Sequence, residues 1–104
     1  MMIKHYGFIV KAESYNADHD KAVMDTASFS TNIIGVSSDE QAIRAAQTMI
    51  KNGIQVIELC GGFGSESAEK IIARLETNIP IGYVTFSDQE RLKLDKLLSQ
   101  NCKI

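Results

Sequence analysis

Apolar side chains recur along the chain in two rhythms, short runs rich in β-branched residues and longer stretches spaced every three or four positions. Residues 3–10 (IKHYGFIV) carry apolar groups on both faces, the pattern of a buried strand. Strand character returns at residues 29–36 through Ile33, Ile34 and Val36, again at 54–59, and at 79–86 (IPIGYVTF). Ala42, Ile43, Ala46, Met49 and Ile50 fall at helical spacing behind Ser37-Ser38-Asp39-Glu40-Gln41, a capping-box start, and Asn52-Gly53 is a stop signal. A second helix places Ala68, Ile71, Ile72 and Leu75 on one face and ends at Thr77-Asn78. Ser87-Asp88-Gln89-Glu90 opens a third, which carries Leu94, Leu97 and Leu98. Residues 11–30 are more polar, with the turn-forming cluster Asn16-Ala17-Asp18-His19-Asp20 and a weak apolar pair at Val23-Met24. A long loop and a short edge strand both fit that segment.

Strands alternating with helices imply right-handed βαβ crossovers. The expected fold is therefore α/β: one small sheet of about four strands, mostly parallel, with about three helices, and a length of 104 residues fits one domain. In such a sheet the ligand crevice lies outside the carboxyl ends of the strands, which gathers residues 60–64, Ser37-Ser38, residues 86–88 and residues 11–14 on one rim.

Composition narrows the function classes. Eleven basic against 13 acidic side chains, a net charge of −2, support neither a nucleic-acid footprint nor a polybasic membrane patch. The first apolar stretch, residues 6–10, is too short for a secretory core or a membrane span, so a cytoplasmic location is expected. The two cysteines, Cys60 and Cys102, form no CxxC pattern and are expected to stay reduced.

The most informative stretch is residues 54–67, IQVIELCGGFGSES, where an apolar strand opens through glycines into a helix. Glycines let the backbone take positive φ and let a ligand come close, while the first N–H groups of the helix point outward as anion donors. A small polar or anionic ligand is expected at Cys60, Gly61, Gly62, Phe63, Gly64 and Ser65, with Asp88 from the neighbouring loop. Gly62-Phe63-Gly64-Ser65-Glu66-Ser67 approximates the dinucleotide G-x-G-x-x-G, with Ser67 in the third place and Asp88 where a ribose-binding acid would sit. Against nucleotide binding, the unit is not the first βαβ, Asp88 has a sufficient role in the first turn of the last helix, and the chain has no room for a second mononucleotide half. A Walker loop needs Gly-Lys-Ser/Thr, and Gly64 is followed by Ser65-Glu66. A cysteine phosphatase needs an arginine after its thiol, and the six positions after Cys60 hold none. No cofactor is specified by these patterns.

Three residues carry candidate chemistry. Cys60, near a helix N-terminus, is a candidate nucleophile, although the carboxylate of Glu58 two residues before it works against a thiolate, and small packing cysteines are common at strand ends. Glu58 sits in an otherwise apolar strand, where a general base and a loop brace are both open and bracing is favoured. His19, with His5, Asp18 and Asp20, offers imidazole and carboxylate groups, but Asp18-His19-Asp20 reads first as a solvated turn and the spacing assigns no metal site. Phe63, a large apolar group at a glycine loop, belongs either under a ligand site or inside a partner subunit. A chain of this size has a limited core, so a homo-oligomer is expected, and the glycine loop as a subunit contact is the rival to a ligand site.

Glu58-Leu59-Cys60-Gly61-Gly62-Phe63-Gly64, together with Ile79-Pro80-Ile81-Gly82-Tyr83-Val84 and Tyr6-Gly7-Phe8-Ile9, resembles a family of short bacterial proteins described only as a domain of unknown function. The likeness covers most of the chain. His19 in Asn16-Ala17-Asp18-His19 matches a histidine that follows the first strand in that pattern. The resemblance implies a fold-level kinship and lends no activity or substrate.

Overall fold

One five-stranded sheet organises the computed structural model, which describes residues 2–100, so that Cys102 lies outside the described residues. The strands are β1 (His5–Lys11), β2 (Lys21–Asp25), β3 (Ser30–Val36), β4 (Val56–Leu59) and β5 (Ile81–Tyr83). The helices are α1 (Asp39–Lys51), α2 (Gly64–Leu75) and α3 (Asp88–Gln100), and a single 3-10 turn, Gly61–Phe63, leads into α2. The order across the sheet is β2-β3-β1-β4-β5. β1 runs parallel to both β3 and β4, β4 runs parallel to β5, and β2 alone is antiparallel, on β3.

The α/β expectation holds, with a fifth strand where the polar segment left two readings open. β2 is an edge strand exposed at every residue, so no burial alternation marks it in the sequence. β5 is shorter than residues 79–86, although its ladder continues through bonds from the Ile57 N–H to the Pro80 carbonyl at 3.2 Å and from the Val84 N–H to the Leu59 carbonyl at 2.9 Å. The helix signals behave as read. Ser38 caps α1 by accepting from the Gln41 N–H at 3.1 Å, and the Gln41 amide reaches back to the Ser37 hydroxyl at 2.8 Å. Asn52 and Gly53, the latter at φ 91°, close the same helix. α2 stops at Leu75, where Glu76 takes a left-handed conformation at φ 46°, slightly before Thr77-Asn78.

α1 and α2 pack against each other and on one face of the sheet. The core lies in that layer: Ile9, Val36, Ile57 and Leu59 from the strands meet Ala42, Ala46 and Met49 of α1 and Ala68 and Ile71 of α2, all buried. The opposite face has no such cover. Its rows follow from the register: Met24, Thr31, Tyr6 and Val56 in one, and Ala22, Ile33, Phe8, Glu58 and Gly82 in the next. Tyr15 lies over Gly35 and Phe29 stacks on Tyr6 with ring centroids 6.2 Å apart, but Ile33 and Phe8 stay only partly buried and Met24 is 62% exposed. α3 buries no residue.

Candidate functional site

Parallel strands deliver their carboxyl ends to one rim, and the four parallel strands here bring Lys11, Ser37 to Asp39, Cys60 and the segment after Tyr83 together. Lys11, the last residue of the central strand, is ion-paired at this rim. Its Nζ lies 2.8 Å from Asp39 Oδ1 at the start of α1 and 5.5 Å from the centroid of the Phe63 ring. The hydrogen bond from Lys11 holds the Asp39 carboxyl below the ordinary aspartate value. A hydrogen bond from Ser67 and the charges of Lys11 and Lys70 act in the same direction, against desolvation. A depressed carboxylate favours the folded state at pH above its ordinary value and loses that contribution as pH falls through its folded value. Thermal stability should therefore decline on acidification below about pH 4, with a modest amplitude because the two side chains are 30% and 37% exposed. Melting curves between about pH 5 and pH 2 should show a shallower acid decline in Asp39→Asn than in the parent; equal declines would remove Asp39 from the account.

The glycine loop is shaped by its contact with the central strand. The Cys60 N–H donates to the Ile9 carbonyl at 3.0 Å, and the Lys11 N–H donates to Cys60 Sγ at 3.2 Å, so the thiol is engaged by backbone. A Cβ on Gly62 would stand 3.2 Å from the Lys11 carbonyl and 3.4 Å from Cys60 Sγ, tighter than a comfortable contact. Gly64 begins α2 at φ 73°, a conformation that side chains disfavour. Between them Phe63 is 6% exposed, folded beneath the Lys11 ammonium into its own chain. Phe63 is thus packed within its own chain.

A groove of about 940 Å³ opens beside this loop. Gly61, Gly62, Phe63, Gly64 and Ser65 form one wall, Val84, Thr85 and Phe86 the floor, and Asp88, Arg91, Leu94 and Leu98 of α3 the other wall. The α3 residues recur about once per helical turn, which puts them on one face. Six of the seven positions expected to touch a ligand line it: Gly61, Gly62, Phe63, Gly64, Ser65 and Asp88, with Cys60 lying just behind. Arg91, Leu94 and Leu98 were absent from that expectation; their spacing marks them as one face of a helix, but nothing local says that the face turns toward the loop.

The dinucleotide geometry is not reproduced in detail. The Phe63 N–H donates to the Cys60 carbonyl at 3.2 Å and the Gly64 N–H to the Gly61 carbonyl, so two loop donors are used internally. Ser67 is turned to Asp39.

The three candidate catalysts stand apart. Glu58 lies on the open sheet face and accepts a hydrogen bond from the Tyr6 hydroxyl. Burial first, then the bond to Glu58 and its charge, push the Tyr6 hydroxyl up to about 12. The sequence favoured Glu58 as a brace for the loop; the bond shown here instead joins it to the neighbouring strand. His19 precedes β2 and borders a shallow groove of about 350 Å³ with Tyr15, Val10 and Ile33. β3 and β1 separate that edge of the sheet from Cys60 at the end of β4. Among the described residues no group of three or more His, Cys, Asp or Glu side chains could hold a metal ion, so His5, His19, Asp18 and Asp20 are not gathered into one. No helix among the described residues is long and apolar enough to cross a membrane.

No curated protein and no solved structure matches the chain. Its kinship is given by a family model: a family of unknown function, DUF6506, matches residues 4–99, and the chain belongs to that family.

Proposed function

We propose that this protein binds a small amphipathic molecule at the rim, with a polar or anionic group at Ser65 and the start of α2 and an apolar body along Phe86, Leu94 and Leu98. The observation that carries the reading is the groove of about 940 Å³ beside the glycine loop, whose lining joins apolar side chains to a helix N-terminus. Arg91 supports a polar end, although its Nε is already 2.9 Å from Asp95. Gly61 provides the test, because a Cβ there would meet Phe86 and Val84 at 3.7 Å, an ordinary contact, and a longer side chain would run into the groove. Native mass spectrometry of freshly purified protein should show an added mass that leaves on denaturation and is missing from a folded Gly61→Leu variant. A bare polypeptide mass, with no groove amide perturbed in a small-molecule screen by NMR, would sink the reading.

The open face of the sheet supports a second, compatible reading: self-association. Five strands three to seven residues long, spaced by about 4.8 Å, give a face of roughly 400 Å² in plan. That is about half of the roughly 800 Å² per partner of a standard interface, before the relief of the side chains standing on the face is counted. A second copy offers the same apolar rows, and Phe63 is withdrawn into its own chain, so the contact in this reading is the sheet face rather than the glycine loop.

A further inference from the structure

We propose a second binding site, for a small carboxylate bearing an adjacent hydroxyl or ammonium group, in the groove between α1 and the edge strand β2. The groove exists because α1 covers β1 and β3 while β2 extends the sheet beyond it. It encloses about 440 Å³, with Ile34 of β3 as its floor, Lys21 on the strand side, Arg44 and Thr48 on the helix side, and the turn carrying Asn16 and Asp18 at one end. That volume suits a molecule of metabolite size.

The charges identify the class of ligand. Of the chain's three arginines, Arg74 holds Glu40 and Arg91 holds Asp95, whereas Arg44 has no carboxylate partner among the described residues. Lys21 has none either, and both line this one groove. Both cations are solvent-exposed and border the same groove, so an oxyanion bound there would meet two positive charges that have no carboxylate of their own. Thr48 stands one turn beyond Arg44 on the same helix face and adds a hydroxyl donor. Asp18 sets the limit. Its carboxylate borders the same space, which disfavours a dianion and rewards a ligand that presents a hydrogen-bond donor beside its carboxylate.

The end wall is firm before any ligand arrives. The Asp18 N–H donates to Asn16 Oδ1 at 2.8 Å, the Asn16 N–H donates to Asp20 Oδ2 at 2.8 Å, and the Gly35 N–H donates to the Asp20 carbonyl at 2.7 Å, which ties the turn to β3. The ordering of the turn is thus largely complete in the free protein. This site is separate from the rim groove: no residue lines both, and β2 and β3 stand at the opposite edge of the sheet from β5.

Titrations of the full chain with lactate, L-serine and inorganic phosphate, followed by backbone amide NMR, test the assignment. Lactate or L-serine should shift the amides of Asp18, Lys21, Arg44 and Thr48 saturably, with a midpoint of about 10 mM or below. Arg44→Gln and Lys21→Gln should each weaken that binding about tenfold or more while leaving the melting temperature close to the parent's. Asp18→Asn should weaken L-serine and strengthen phosphate. Shifts that never saturate, saturable binding unchanged by Arg44→Gln, or a preference for phosphate in the parent protein would each overturn the proposal.

Discussion

Replacing Ile57 by alanine should remove about 3–4 kcal/mol of stability, the middle of the range for a buried isoleucine truncation. Ile57 is fully buried at the centre of β4, in register with Gly7 of β1 on one side and Ile81 of β5 on the other, and it belongs to the same cluster as Ile71 of α2. Neither neighbouring strand position can fill the void, because one has no side chain and the other is already placed. A domain of this size holds only about 5–15 kcal/mol in total, so the melting temperature should fall by about 12–30 °C. Thermal unfolding followed by circular dichroism reads this directly. A loss below about 1 kcal/mol would mean that the α-covered layer relaxes around the gap and is not packed as a single core.

If the open sheet face pairs two copies, Phe8→Lys should convert that dimer into a folded monomer. Phe8 lies on the opposite face from Ile57, in the row with Ile33 and Glu58, and it is partly buried within its own chain. A lysine there stays solvated in a monomer, but in a paired face it would be an unpartnered charge at the centre of the contact. A penalty of about 3 kcal/mol weakens dimerisation about 150-fold. Sedimentation velocity should show a dimer for the parent at about 50 µM and a monomer for Phe8→Lys, and the melting temperature of the parent alone should rise with concentration. A parent protein that sediments as a monomer at that concentration would overturn the self-association reading. So would a variant that sediments like the parent. The Tyr6–Glu58 hydrogen bond sits in the middle of this face, where a satisfied polar pair would fix the register of two sheets whose apolar rows alone would permit sliding.

What the sequence disclosed was whatever depends on neighbours along the chain. Ser38 and Gln41 cap α1 because that bond needs only residues three apart, and Gly64 and Gly53 stand where backbone conformation excludes most side chains. The rim at Cys60 to Gly64 was legible for the same reason, since any strand that opens through glycines into a helix points its loop outward. β2 was ambiguous because Lys21 to Asp25 is exposed on both faces, and an edge strand without a buried side has no periodicity to read. The Lys21 and Arg44 groove was invisible because it depends on β2 pairing outside β3 rather than beside β1, a choice made by the whole sheet. Leu94 and Leu98 recur at helical spacing, yet α3 buries nothing in its own chain, and a pattern of leucines cannot say which surface will receive it.

The sheet order also dictates when the protein can become a protein at all. β1 occupies the middle of the sheet, yet it leaves the ribosome before either strand that flanks it. β2 and β3 can close as a hairpin from nearby residues, but β1 stays half-paired until β4 follows a complete helix out of the exit tunnel. For that interval Tyr6 to Val10 is a bare apolar edge. Nascent chains stalled before β4 should be the species that chaperones hold and that aggregate first, and the long-range closure of β1 against β4 should set the pace at which the finished chain folds.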